Sequence, residues 1–149
     1  MDIAKIERFQ LDNPGQSFPP FRRLNAKESE EIRESIMGKL SLDRGTSGLA
    51  LANRVLELSV ALEGPNAEAE GFSLLPVFEE LCLKPQESVY VNWYRYDNID
   101  SVAFKDLVAV FDYVWYPAAD DIDLFDASLN WILSITHYGQ ICILKLDSE

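Results

Sequence analysis

At Ser88 the spacing of apolar residues changes from every third or fourth position to every second, and this change constrains the fold more than any other feature of the chain. Upstream, Ile32, Ile36 and Leu40, and later Leu74, Val77, Phe78 and Leu81, recur with the period of an α-helix. Downstream, Val89, Val91 and Trp93 face away from Tyr90, Tyr94 and Tyr96 in a run rich in β-branched and aromatic side chains, the pattern of a strand. Helices followed by strands predict an α+β fold, with N-terminal helices packed on one face of a mostly antiparallel sheet of four to five strands formed by the C-terminal half.

The 149 residues, 48% of them apolar, suit a single domain able to bury a core. It divides into an N-terminal arm over 1–24, a helical part over 25–85 and a sheet part over 86–149. In the arm, Pro14, Gly15, Pro19 and Pro20 exclude regular helix and leave Phe18 and Phe21 as anchors. Asn25 and Glu28 have the spacing of a capping box and predict a helix from about 26 to 40. Residues 49–62 suit either helix or strand; Thr46 or Ser47 in front and Gly64-Pro65 behind favour helix. A third helix opens at Ser73 and stops before Pro85. A helical turn over about 100–107 then leads to a strand through VAVFDYVWY, and IDLFD offers a short strand whose flanking aspartates would blunt pairing if it lies at a sheet edge. The terminal LNWILSITHYGQICILKL reads as a hairpin. A two-residue Tyr138-Gly139 loop pairs Ile135 with Cys142, Leu133 with Leu144 and Trp131 with Leu146, giving one apolar face and one mixed, half-exposed face. That loop would force Tyr138 to positive φ.

The formal charge of −12 is uneven: residues 1–85 hold 14 acids and 10 bases, residues 86–149 hold 11 acids and three bases. Such a field repels phosphate backbones and anionic lipid, which argues against nucleic-acid and membrane partners, and it speeds encounter with a basic protein. The plainer consequence of the same charge is solubility. No apolar leader and no run of about 18 apolar residues is present, so the expected location is the cytoplasm. Cys82 and Cys142, each in an apolar run, read as buried free thiols.

Motifs that carry chemistry fail one after another. Gly38-Lys39 precedes Leu40, with Arg33 where a phosphate-binding loop needs its first glycine, and no Gly-x-Ser-x-Gly elbow occurs. His137 is the only histidine, which removes nearly every zinc site and reads as an ordinary turn residue. The string Asp120, Asp121, Asp123 and Asp126 lacks the glycine and the twelfth-position glutamate of a calcium loop, and its alternation with Ile122 and Leu124 suits a solvated strand face. Neither metal nor cofactor is expected.

Eight aspartates from Asp97 to Asp126 nevertheless lie among Tyr96, Phe104, Phe111, Tyr113, Trp115, Tyr116 and Phe125. Within that region VWYPAADDIDLFDASLNWILSITHYGQICIL, with an aromatic-Pro-x-x-Asp-Asp turn, an acidic strand and a Trp-bearing hairpin, resembles the C-terminal part of small bacterial α+β proteins, among them immunity proteins of toxin and contact-dependent competition loci. The resemblance implies a non-catalytic binding protein that neutralises a basic toxin by occluding its active site. The residues that would meet such a partner are Asp97, Asp100, Asp120, Asp121 and Asp123, with Tyr96, Trp115 and Tyr116 as aromatic anchors. A carboxylate- or metal-dependent hydrolase and a self-associating module that uses the mixed hairpin face remain as alternatives.

Overall fold

The computed structural model describes residues 1–146. Five helices and seven strands follow the order α1 (Ile3–Asp12), β1 (Phe21–Arg23), α2 (Ala26–Lys39), α3 (Gly48–Leu58), β2 (Val60–Asn66), α4 (Leu74–Glu80), β3 (Ser88–Asn92), β4 (Ile99–Ala103), α5 (Phe104–Val114), β5 (Ile122–Phe125), β6 (Trp131–Ile135) and β7 (Gln140–Lys145). All seven strands form one antiparallel sheet in the order β1-β4-β3-β5-β6-β7-β2. The α+β class follows, with a larger sheet than the sequence predicts: β1 and β2, from the N-terminal half, supply its two edges.

Helices cover both faces of the sheet rather than one. Alternation along each strand sends Val89, Val91, Ile122, Leu124, Leu133 and Ile143 into a core shared with Phe9 of α1, Val77 and Phe78 of α4, and Leu107 and Phe111 of α5. The opposite face buries Ile99, Phe125 and Ile132 against Ile36 and Met37 of α2 and Leu51 and Val55 of α3. A strand buried on both sides need not alternate apolar with polar, and β6 is buried along its whole length.

The capping box forms as expected: Glu28 N–H donates to Asn25 Oδ1 (2.9 Å) and Asn25 N–H to Glu28 Oε2 (2.8 Å). Residues 49–62 are both helix and strand, since α3 ends at Leu58 and β2 begins at Val60. The N-terminal arm is a helix over its first half. Asp2 caps α1 by accepting from Ala4 N–H, and the turn residues Pro14 and Gly15 lie beyond its end. Phe18 and Phe21 do pack on the core.

Four other expectations change. Residues 99–103 are strand and 104–114 helix, the reverse of the predicted order: Leu107, Val110, Phe111 and Val114 lie at helical spacing, and burying that stripe outweighs the strand preference of its valines. The terminal hairpin is displaced by one residue, pairing Ile135 with Ile141, Leu133 with Ile143 and Trp131 with Lys145. The loop has three residues, with Gly139 at φ +82° taking the left-handed position that a two-residue turn would impose on Tyr138, and Thr136 N–H bonded to Gln140 C=O (3.0 Å). The predicted mixed face is buried under α2 and α3, where Ile132 and Ser134 are both closed to solvent. Finally, Cys142 is buried but Cys82, just past α4 at φ +54°, is exposed.

Candidate functional site

The sheet carries a polar row across its centre. Register places Asn92 of β3 beside Asp123 of β5, and Asp123 beside Ser134 of β6, all three on the face toward α2 and α3. Asn92 Nδ2 donates to Asp123 Oδ2 (2.9 Å) and Ser134 Oγ to Asp123 Oδ1 (2.5 Å). The other end of the Asn92 side chain accepts from Tyr96 N–H (2.8 Å), which ties the row to the 93–98 loop. Burial raises the Asp123 carboxyl above its ordinary value, against these hydrogen bonds, which favour the ionised form. Burial likewise holds the Tyr96 phenol well above its usual value, with the neighbouring Asp123 carboxylate adding to the effect through its charge and through its proximity to the hydroxyl.

Asp123 is also part of the wall of a cavity of about 330 Å³ between α3 and the ends of β5 and β6. Ala52 and Leu56 of α3 form one side, Tyr94 stands at another, and Asp121, Thr136 and His137 contribute polar groups. His137 Nδ1 lies 2.9 Å from Asp121 Oδ1, and the same oxygen accepts from the His137 backbone N–H (2.8 Å). Tyr138 packs on the imidazole with ring centroids 4.0 Å apart and is 72% exposed. Tyr94 and Tyr96 hold positive φ, +88° and +61°, in a loop fixed by Asn92 and by Trp93 N–H donating to Asn98 C=O (2.9 Å). Strained backbone persists only where its surroundings over-determine it, and here it borders the cavity.

The expected partner residues do not share one surface. Asp100 is wholly closed to solvent on the opposite sheet face, where it accepts from the α-ammonium of Met1, Trp93 Nε1 (2.9 Å) and Arg23 Nε (3.0 Å). Burial alone would raise its carboxyl; the three donors outweigh this and hold it below the ordinary carboxylate value. Asp120 accepts from Lys5 Nζ (2.6 Å) and Tyr116 N–H (2.8 Å), while its carbonyl accepts from Trp115 Nε1 (2.9 Å). Lys5 Nζ also sits 3.7 Å from the centre of the Tyr116 ring. Trp115 and Tyr96 are buried and Tyr116 is half-buried, so Asp100, Asp123, Tyr96 and Trp115 serve the interior. Asp97 is exposed on the 93–98 loop, and Asp121 is half-buried at the cavity.

Asp120, Asp121, Asp123 and Asp126 thus diverge to separate partners, and among the described residues no group of three or more His, Cys, Asp or Glu is placed to hold a metal ion. Sequence reasoning missed Tyr94, Thr136 and His137 as a constellation, because only the three-residue hairpin loop and the covering helix bring them together. Pairing of Asp121 with His137, 16 residues apart, has no local signal. No helix among the described residues is long and apolar enough to cross a membrane. Comparison with protein-family models, with curated proteins and with solved structures finds no match.

Proposed function

We propose that the chain is a non-catalytic acidic binding protein for a basic protein partner, of the kind that neutralises a toxin by covering its active site, and that it acts in the cytoplasm. The supporting observation is the cavity beside Asp121 and Asp123, with Tyr94 and Tyr138 accessible and no lysine or arginine in its lining. Accessible tyrosine beside carboxylate is the composition of a recognition surface for cationic groups. The net charge of −12 supplies the long-range attraction. Asp97 and Asp121 remain the accessible acidic contacts of this reading, with Asp123 in the cavity wall behind Asp121; Asp100 and Asp120 hold the scaffold.

Affinity capture at low and high salt tests it. The expected result is one identified basic protein, held at low salt, released at high salt and lost with the Asp97→Lys/Asp121→Lys double variant. Retention that ignores both salt and charge reversal would overturn the electrostatic reading.

A hydrolase is the second reading, favoured by one observation, the Asp121–His137 pair, since a carboxylate-oriented imidazole is the base half of a nucleophilic relay. Ser134, the hydroxyl beside it on the sheet, donates to Asp123 instead. Turnover of activated esters that disappears in His137→Ala would support the enzyme, and absence of turnover in the wild type would remove it.

A further inference from the structure

We infer that the cavity between α3 and the β6–β7 hairpin is a specific site for one guanidinium or ammonium group on an aliphatic stem. The inference deepens the basic-partner reading and rests on it for the source of that group.

Charge comes first. Asp121 and Asp123 stand two residues apart on one side of an extended segment, about 7 Å along the chain at the usual strand rise. Each keeps acceptor capacity. Asp121 Oδ1 takes both bonds from His137, while Oδ2 has no partner among the described residues. Asp123 takes one hydrogen bond on each oxygen, from Asn92 and Ser134, and lies against the Tyr96 phenol, so what acceptor capacity remains is shared with that hydroxyl. Thr136, also in the wall, has a buried hydroxyl oxygen with no hydrogen-bond partner among the described residues. A buried hydroxyl without a partner is costly, and a donor-rich ligand end would satisfy it. The carboxylate oxygens left open here are acceptors only, and the Thr136 hydroxyl can also accept, so a cation that carries donors fits beside these two carboxylates better than an anion.

Shape narrows the class. Ala52, Leu56 and Tyr94 give the wall an apolar and aromatic side, beside the amides of Asn53 and Gln140, which suits methylenes behind a charged head that carries donors. The Tyr94 ring already carries the guanidinium of Arg95 over it at 5.5 Å from the centroid, so the protein itself shows a ring of this site engaged with that chemistry. A bare metal ion is a poor occupant, because no three ligating side chains among the described residues converge. A guanidinium, whose planar fork of donors can reach two carboxylates, suits the spacing best.

The test uses agmatine, a guanidinium on a four-carbon stem that also ends in an amine, and n-butylguanidinium, each titrated into the intact protein and followed by amide chemical shifts. Saturable shifts centred on Ala52, Asn53, Thr136 and Gln140 are expected, with an affinity on the order of millimolar. Asp121→Asn should weaken binding about tenfold or more, the loss of one charge-assisted contact. Ala52→Leu, on the helix that covers the cavity, should abolish binding by filling it while leaving the thermal melt cooperative. Linear, unsaturable shifts, or equal binding by Ala52→Leu, would overturn the site. The source is read separately. Agmatine binding together with capture of a basic protein that Ala52→Leu no longer retains assigns the group to a partner's arginine or lysine. Agmatine binding with no protein captured leaves the site intact as one for a free organic cation and removes the basic-partner reading. Capture that survives Ala52→Leu, with no agmatine binding, removes the site and leaves that reading in place.

Discussion

Two buried aspartates, Asp100 and Asp123, sit on opposite faces of one sheet and have opposite relations to pH. Asp100 has three donors, two of them cationic, and its carboxyl lies below the ordinary value. It therefore contributes stability above the unfolded carboxylate range near pH ~4, lost as pH falls through its lower folded value. Asp123 has only neutral donors, and its carboxyl lies above the ordinary value. The folded state then holds that proton more tightly than the unfolded chain does, so its contribution is fully present below pH ~4 and is lost as pH rises through the raised folded value. Urea unfolding of Asp100→Asn and Asp123→Asn against wild type, from acid to neutral pH, reads the two signs. Asp100→Asn should fall progressively behind as pH rises, reaching a deficit of about 3–5 kcal/mol near neutrality, the usual cost of breaking a buried ion pair. Asp123→Asn should gain on wild type over the same range. Parallel curves for the two variants would show that neither carboxyl is perturbed as described.

At the level of elements, the entry to α3 depends on a residue with no side chain. A Cβ on Gly48 would lie 2.2 Å from the carbonyl oxygen of Arg95, whereas one on Gly38, inside α2, would meet nothing within 4 Å. Gly48→Ala should therefore destabilise by about 1–3 kcal/mol, as overpacking against backbone does. Gly38→Ala should stabilise by up to about 1 kcal/mol through helix propensity alone. Thermal melts of the two variants give shifts of opposite sign if α3 and the 93–98 loop meet as described. The same pair shows what was legible in the chain. Local chemistry was: the Asn25–Glu28 box and the Ser47 cap form, and the strand alternation from Ser88 holds as far as Asn92, beyond which Trp93, Tyr94 and Tyr96 belong to a loop. Non-local covering was not. Nothing in WILSI says that a helix lies over its polar-looking side, so Ser134 and Ile132 read as half-exposed and the hairpin register could not be fixed by a single apolar face. The candidate site fared worst for the same reason. Clustered aspartates look alike in sequence, and their neighbours separate Asp97 at the surface from Asp100 in the interior.

For the whole molecule, excess negative charge is a property that no single contact cancels. Several bases are already engaged with acids, including Lys5, Arg8, Arg22, Arg23 and Arg54, so the net charge of −12 acts as diffuse self-repulsion. Added salt screens such repulsion over a Debye length of about 8 Å at 0.15 M. The melting temperature should rise as sodium chloride is increased from about 10 mM to that strength; a fall would mean that the ion pairs outweigh the repulsion. The arrangement of the sheet also sets an order of events during synthesis. Its five inner strands, β3 to β7, all come from residues 88–145, and the segments that border them, β1 and β2, are made first yet pair with Ser101 and Ile143, roughly eighty residues later. While the ribosome is still adding the second half, the first has helices but no sheet to lie on, and its apolar stripes must wait in solution or on a chaperone until the centre exists.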